Sequence, residues 1–173
     1  MLHSFGCDGQ PCTNGGTFPG AHPLLAVDGN FYGVTESSGR DCTVTPDGRC
    51  GTLYKIVPDG VASQWSVLHR FCKQANCDDG SIPRDGLAAD VFGNFYGVTD
   101  YGGGGLDMNS HGGGTIFKFD GSLHILHRFC AQANCRDGEY PFTSPIIDST
   151  GNLFGATSYG GAGGEGVIYE LTP

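Results

Sequence analysis

Short apolar runs alternate with polar or glycine-rich segments along the whole chain. We interpret residues 52–57 as an alternation of apolar and polar positions, which is typical of a β-strand with one buried face. No stretch of about ten or more residues has the 3.6-residue apolar period of an amphipathic helix. The pattern therefore predicts an all-β protein with essentially no helix.

Turn signals separate the apolar runs. Asp-Gly and Gly-Asn pairs favour tight hairpins because these residues tolerate positive φ. The long segment 101–114, rich in glycine and poor in apolar residues, is expected to be a surface loop. Strands are predicted at 2–5, 23–27, 31–35, 52–57, 65–71, 86–90, 94–99, 115–119, 123–129, 152–157 and 167–171.

The same motifs occur three times, about sixty residues apart. LHSF, LHRF and LHRF begin at Leu2, Leu68 and Leu126, and GTLYKI, GTIFKF and GVIYEL begin at residues 51, 114 and 166. Glycine-asparagine pairs recur in step with them. The fold is therefore expected to consist of copies of one unit.

We interpret residues 1–173 as a single domain of three repeats, because no change in composition marks a second domain. The repeats are approximately 1–50 together with the strand at 166–173, then 51–113, then 114–165. Four antiparallel strands repeated in this way predict a β-propeller-like fold with three blades. A β-trefoil-like fold is the alternative, although a trefoil unit is usually shorter.

The motifs DGNFYGVT, GTLYKI, VLHRF and the YGG segments resemble the repeats of the choice-of-anchor tandem repeat GloVer-containing proteins. The resemblance covers nearly the whole chain. It implies an exported bacterial protein with a propeller-like fold, and it implies no catalytic residues, because the biochemical role of that family is not established. The chain departs from the family pattern in having only three repeats.

The repeats are offset relative to the sequence. The LHxF strand comes first, whereas the GTxY strand that should precede it is the last one in the sequence. We therefore expect the terminal strands to share a blade, within one chain or between chains. The residues expected to form the assembly strands are Leu2, His3, Phe5, Val167, Ile168, Tyr169 and Leu171.

The eight cysteines indicate where the protein functions. Three pairs occupy the same place in each repeat, and a fourth pair brackets an insertion in the first; no pair has the spacing of a zinc finger. Local disulfides are therefore favoured over metal binding, and disulfides are typical of exported proteins. The predicted pairs are Cys7–Cys12, Cys42–Cys50, Cys72–Cys77 and Cys130–Cys135.

Charge and hydropathy exclude two classes of partner. The formal net charge of -9 disfavours binding to nucleic acid, and no apolar stretch approaches the length of a membrane span. The first residues, MLHSFG, lack the basic and apolar regions of a secretory leader, so a leader is expected to have been removed or left out. We predict an extracellular, secreted or cell-surface protein.

Several side chains are candidates for a site, each with a structural explanation beside it. The equivalent histidines His3, His69 and His127 are interpreted as structural, because a catalytic base is needed only once. Acidic residues at turns are expected to bond to their own turns rather than hold calcium; these are Asp28, Asp79, Asp90, Asp137 and Asp148.

The aromatic candidates differ in their expected exposure. Trp65, the single tryptophan, is expected to be buried in a strand rather than to stack on a sugar. Tyr101 and Tyr159, beside flexible glycines, are the candidate ligand contacts. No catalytic motif, metal site or cofactor motif is present in the sequence.

These observations lead to a first hypothesis, a structural protein that assembles head to tail with itself into an extracellular filament or fibre. The alternative is a secreted propeller module, monomeric or a closed ring, that binds glycans or a protein partner. A glycan-active enzyme with acids from different loops is a weaker third hypothesis, and the prediction is that the protein is not an enzyme.

Overall fold

A computed structural model describes residues 3–5, 16–37, 49–59, 64–104 and 111–172 of the chain. These residues form three antiparallel sheets, and their helical content is confined to two short 3₁₀ turns, Ala75–Cys77 and Ala133–Cys135. The all-β prediction is confirmed. The described residues include no helix with the length and apolar character needed to cross a bilayer.

Each sheet takes its strands from consecutive parts of the chain. The first consists of β1 (Thr17–Pro19), β2 (Leu24–Leu25), β3 (Phe31–Ser37), β4 (Thr52–Val57) and β5 (Gln64–Arg70). The second consists of β6 (Ser81–Ala89), β7 (Phe95–Tyr101), β8 (Thr115–Phe119) and β9 (Leu123–Arg128). The third consists of β10 (Glu139–Pro141), β11 (Ile146–Ile147), β12 (Leu153–Tyr159) and β13 (Ile168–Leu171).

The sheets are three versions of one blade, consistent with a propeller-like arrangement. The second sheet has the order β6-β7-β8-β9. In the first and third sheets, two short strands replace the single long β6: β1 and β2 both pair with β3, and β10 and β11 both pair with β12. Each sheet therefore begins with the strand before the Gly-Asn turn. That strand lies in the middle of a repeat with the bounds predicted from the sequence.

Two strand predictions need correction. The strand predicted at 86–90 begins earlier, at Ser81, and its pairing is irregular between Arg84 and Ala88. Residues 3–5, predicted to be a strand, lie in no strand of the structure. A strand needs a neighbour for its backbone N–H and C=O groups, and no strand is paired with these residues.

The repeated glycine of the YG motif makes room for an aromatic ring on the paired strand. A Cβ atom at this glycine would collide with the ring in all three sheets, so a larger residue would displace it. The aromatic ring in turn covers the glycine and adds buried apolar area. The pairs are Gly33 with Tyr54, Gly97 with Phe117, and Gly155 with Tyr169.

Neighbouring sheets contact each other through the phenylalanine of the LHRF motif. The ring centroid of Phe71, after β5, is 5.2 Å from that of Phe117 in the second sheet. Phe129, after β9, lies 5.1 Å from Tyr169 in the third sheet. Each contact belongs to one of the two main hydrophobic clusters of the described residues, so the core lies between sheets as well as within them.

Hydrogen bonds near the irregular part of β6 connect all three sheets. The backbone N–H of Ser144 donates to Asp85 Oδ2 over 2.7 Å, and Ser144 Oγ accepts from the N–H of Gly86 over 2.8 Å. The N–H of Ala21 donates to the carbonyl of Asp85 over 3.1 Å. The strand irregularity thus positions one backbone segment to contact both neighbouring sheets.

Disulfides close the loops that lead from one sheet to the next. The structure contains Cys72–Cys77 and Cys130–Cys135, as the spacing predicts, and Cys50 is disulfide-bonded too. In the loop-entropy model a closed loop of this size contributes about 2 kcal/mol to stability. Three cysteines of the predicted pairs lie outside the described residues, as does Leu2: Cys7, Cys12 and Cys42.

Candidate functional site

Strand β13 is the feature that distinguishes the third sheet from the other two. Strand β4 lies between β3 and β5, and β8 lies between β7 and β9. Within the described residues, the equivalent β13 pairs with β12 alone. One edge of β13 therefore has no strand beside it.

Equivalent apolar side chains of the three sheets differ in exposure, because the second and third sheets each cover the sheet before them and no described sheet follows the third. Leu53 in β4 and Ile116 in β8 are both 0% exposed, whereas Ile168 at the same position of β13 is 88% exposed. A large exposed aliphatic side chain on a free strand edge is a feature that soluble proteins usually avoid. It marks the edge as a candidate interaction surface.

A groove of about 380 Å³ runs beside β13, between the second and third sheets. Ile116 and Phe129 contribute apolar surface to it, and Val167 to Leu171 form its other side. Arg136, Asp137 and His127 supply its polar groups. The groove therefore combines an apolar floor with a polar rim and an open strand edge.

Tyr169 lies at the base of this groove. Its ring packs on Phe129, and its hydroxyl is buried without a hydrogen-bond partner among the described residues. Desolvation raises the pKa of Tyr169 to about 12. A buried hydroxyl without a partner is costly, and the equivalent position in β8 is the phenylalanine Phe117, which has no such group.

The LHxF segment at residues 3–5 makes the contact that the other LHxF segments make with the following sheet. The ring of Phe5 is 5.4 Å from Tyr54, which matches the distances of Phe71 to Phe117 and of Phe129 to Tyr169. The internal geometry also repeats, because each LHxF histidine lies 4.9 Å from its own phenylalanine. Residues 3–5 thus occupy the place of a preceding last strand.

The LHxF histidines differ in their polar partners. His69 Nε2 is 3.0 Å from Asp79 Oδ2, and His127 Nε2 is 3.2 Å from Asp137 Oδ2. His3 has a buried Nε2 with no partner in the described residues, and burial lowers its pKa. Both acids were expected to bond to their own turns, and Asp137 does so through the N–H groups of Ala131 and Gln132. Among the described residues Asp79 instead bonds to His69, and the constant His-to-Asp separation of ten residues was a usable signal.

Trp65 lies between two parts of the chain. Its ring stacks on His3 at 4.2 Å and packs on Tyr54 at 4.4 Å. Its indole N–H is buried without a hydrogen-bond partner in the described residues. Trp65 was expected to be buried in a strand; it lies on β5 but is only half-buried, and it helps to hold residues 3–5 against the first sheet.

The turn aspartates bond to their own hairpins. Asp28 accepts from the side chain of Asn30 at 2.7 Å and from the Tyr32 hydroxyl at 2.8 Å. Desolvation raises the pKa of Asp28, but these bonds outweigh it and lower the pKa to about 2. Asp90 makes the same kinds of bond within its turn, and Asp148 accepts from residues of its own turn. The turn explanation accounts for all three carboxylates.

Both candidate ligand tyrosines pack on a third tyrosine. The ring of Tyr140 is 4.9 Å from Tyr101 and 6.0 Å from Tyr159. Tyr159 is 57% exposed, and His111 lies 6.0 Å from Tyr101, edge to face. The structure therefore gathers residues of the second and third sheets into one aromatic cluster beside glycine-rich segments.

One buried ion pair was not expected from the sequence. Arg84 Nε on β6 is 2.7 Å from Asp100 Oδ2 on β7, and Asp100 is 5% exposed. Burial raises the pKa of Asp100 to about 7, and Arg84 acts against this shift while Glu36 adds to it. The pairing depends on which side chains of β6 and β7 lie side by side in the second sheet, so the local sequence carried no signal for it.

The comparisons with known proteins agree with the repeat motifs. Residues 1–173 match the model of the Gloeobacter/Verrucomicrobia repeat. Among curated proteins, none matches the sequence. The match extends over the whole chain and confirms the resemblance inferred from the LHxF, GTxY and GNxYG motifs: the chain belongs to the Gloeobacter/Verrucomicrobia repeat family.

Proposed function

We propose that the protein is an extracellular structural subunit that assembles head to tail with itself into a filament or fibre. The observation that carries the proposal is the open edge of β13, where Ile168 is 88% exposed while its equivalents in β4 and β8 are fully buried. An unpaired strand edge offers a row of N–H and C=O groups to another strand.

The sequence of β13 offers little protection for this edge. Natural edge strands carry lysine, proline, a bulge or an inward-pointing charge that prevents pairing. Strand β13 pairs in regular register with β12 from Ile168 to Leu171, and its only charged residue is Glu170. The edge therefore remains competent for strand addition.

Pairing at the open edge of β13 leads to an assembly that can keep growing. The open edge of β13 and the LHxF segment at residues 3–5 are two different surfaces, so their contact is heterologous. A heterologous contact gives a ring if the rotation closes and a filament if it does not. The disulfides fit an extracellular protein, because such bonds persist in oxidising compartments.

The test is negative-stain electron microscopy of the disulfide-intact 173-residue chain. We expect filaments from the wild-type chain and discrete particles from a chain lacking residues 166–173. Because β13 also packs on the core, an Ile168→Lys variant provides the same test with the strand retained. Val91→Lys is the matched control, since Val91 is 87% exposed in the turn between β6 and β7 of the second sheet, away from β13.

Discrete wild-type particles with the mass of one chain would overturn the proposal. Filaments that persist equally in both lysine variants would also overturn the role of β13. We expect the Ile168→Lys variant to remain folded by circular dichroism, because the side chain it replaces is exposed in the isolated molecule.

A second function, binding of glycans, is favoured by the cluster of Tyr101, Tyr140 and Tyr159. Exposed aromatic faces beside flexible segments suit stacking on a sugar ring. An oligosaccharide panel should then show binding that a Tyr159→Ala variant loses, whereas Phe18→Ala, which removes another exposed ring, should retain it. Absence of binding by the wild-type chain to any sugar would remove this candidate.

A further inference from the structure

We infer that the open edge of β13 receives residues 3–5 of a second copy of this chain, in a defined register. This inference rests on the proposed assembly function and adds to it the donor segment and the residue pairs. The groove beside β13 and the unpaired segment at residues 3–5 are the two observations that it joins.

The register follows from the two sheets in which the equivalent strand is already present. In the first sheet His69 is opposite Leu53, and in the second His127 is opposite Ile116. In both, the next residue of the LHxF segment is opposite a threonine at the start of the acceptor strand: Arg70 with Thr52, and Arg128 with Thr115.

The phenylalanine of the motif also has a fixed backbone partner. The N–H of Phe71 donates to the Gly51 carbonyl over 3.1 Å, and that of Phe129 to the Gly114 carbonyl over 2.9 Å. Gly166 occupies the same place before β13. The N–H of Phe5 from the second copy therefore donates to the Gly166 carbonyl of the first.

Applied to β13, the residue pairs of the first and second sheets give one arrangement of the donor segment. His3 of the second copy lies opposite Ile168, and its Ser4 lies opposite Val167. Ile116 is buried in the cluster between the second and third sheets, and the first sheet of the second copy covers Ile168 in the same way. The second copy is the occupant because residues 3–5 of the same chain pack on Tyr54 and Trp65 and pair with no strand.

The same segment also sets the geometry of the next copy. Phe5 contacts Tyr54 of its own chain as Phe71 contacts Phe117, so the donor segment joins the third sheet of one copy to the first sheet of the next. That junction reproduces the contact between the first and second sheets within one chain. Each added copy then presents its own open β13, and addition continues.

The test is photo-cross-linking of assemblies in which Ile168 is replaced by p-benzoylphenylalanine. Copies labelled with ¹⁴N and ¹⁵N are mixed, so that mass spectrometry distinguishes cross-links between chains from those within one chain. We expect the dominant cross-link to join position 168 of one chain to residues 3–5 of another. A probe at Val91, which is exposed in the turn between β6 and β7, is the control and should not capture that segment.

Charge pairs at the predicted positions test the register independently. His3→Glu combined with Ile168→Lys places opposite charges across the junction, whereas His3→Glu with Ile168→Glu places like charges there. Opposite and like pairs on facing strands differ measurably in stability. We expect the first double variant to assemble at a several-fold lower concentration than the second; no difference between them would overturn the register.

The outcomes separate this inference from the function on which it rests. If the wild-type chain forms no assembly, the proposed function fails. If it assembles but position 168 cross-links to a region other than residues 3–5, or to its own chain, the assembly function stands and this inference fails.

Discussion

Strands β8 and β13 carry the same motif in adjacent sheets, GTIFKF and GVIYEL, but they lie in different surroundings. Strand β8 is covered on one edge by β7 and on the other by β9, and its Ile116 and Phe117 are 0% exposed. Strand β13 has β12 on one edge, and its Ile168 is 88% exposed. The difference teaches that the motif specifies an acceptor strand, while its burial depends on the strand at its edge and on the sheets that pack against its faces.

Alanine substitution at the two isoleucines gives the largest expected contrast. Ile116→Ala removes a fully buried side chain and is expected to lower the free energy of unfolding by about 2–5 kcal/mol. Ile168→Ala should change it by less than about 0.5 kcal/mol in unassembled chains, because the side chain is exposed there. Urea denaturation at low protein concentration measures both values.

Leu53→Ala is the control for the first value, since Leu53 occupies the same position in β4 and is equally buried. If Ile168→Ala proves as costly as Ile116→Ala in a chain shown to be monomeric, the edge of β13 is covered within one molecule. The conclusion that β8 is covered and β13 is open would then be wrong.

A second contrast concerns the ionisable groups at two equivalent positions near the ends of β7 and β12. Asp100 in the second sheet corresponds to Ser158 in the third, and burial raises the pKa of Asp100 to about 7 from the ordinary 3.8, with Arg84 acting against this shift. Because the folded-state pKa lies above the unfolded one, the native chain holds more protons between about pH 4 and 7. The free energy of unfolding therefore falls as the pH rises through this window.

Asp100→Asn should remove most of this decline, which is on the order of a few kcal/mol. Ser158→Asn should retain it, because that position carries no carboxyl group. The measurement is the urea midpoint at about pH 4.5 and about pH 7.5 for each variant. An unchanged slope in Asp100→Asn would show that Arg84 keeps Asp100 ionised throughout.

The parts of the fold that depend on neighbouring residues were predictable from the sequence. Alternation predicted the strands, Gly-Asn pairs predicted the hairpins, and the short spacing of Cys72 and Cys77 predicted their disulfide. Repetition strengthened each prediction, because a feature that recurs in register in three copies is hard to explain as coincidence. The family assignment follows from the same repetition.

Features that depend on distant residues were not predictable. The ion pair of Arg84 and Asp100 needs the packing of β6 on β7 before it can be seen. Residues 3–5 carry a strand motif but form no strand, because strand formation requires a partner that the motif does not specify. The gathering of Tyr101 and Tyr159 around Tyr140 likewise depends on how the second and third sheets meet.

A side chain that stabilises its own turn can lie at a different position in another repeat and keep the same role. Asp90 bonds to its turn and to the Tyr96 hydroxyl. In the first sheet the residue equivalent to Asp90 in backbone pairing is Ala26, yet Asp28, two residues later, reaches the Tyr32 hydroxyl. An alignment of the repeats on their Gly-Asn pairs places Asp28 opposite Phe92, and the hydrogen bonds show that Asp28 still makes the bond to the tyrosine hydroxyl.

The smallest expected effect comes from a natural difference between the second and third sheets. The hydroxyl oxygens of Thr99 and Thr115 are 2.8 Å apart, and both residues are fully buried. Because Thr99 Oγ1 already donates to the Tyr101 carbonyl, it accepts from Thr115. In the third sheet Val167 replaces the second threonine, and Thr157 Oγ1 bonds only to backbone groups.

Thr115→Val makes the second sheet resemble the third and should lower the free energy of unfolding by about 1 kcal/mol, the usual value of one hydrogen bond. Thr52→Val is the matched control in the first sheet, where the same pair occurs, and should cost the same. Val167→Thr should change stability by less than about 0.5 kcal/mol in monomers, because the open edge lets water bond to the added hydroxyl. If Val167→Thr instead stabilises the monomer by as much as Thr115→Val destabilises it, water does not reach β13, and the two strands are equally covered.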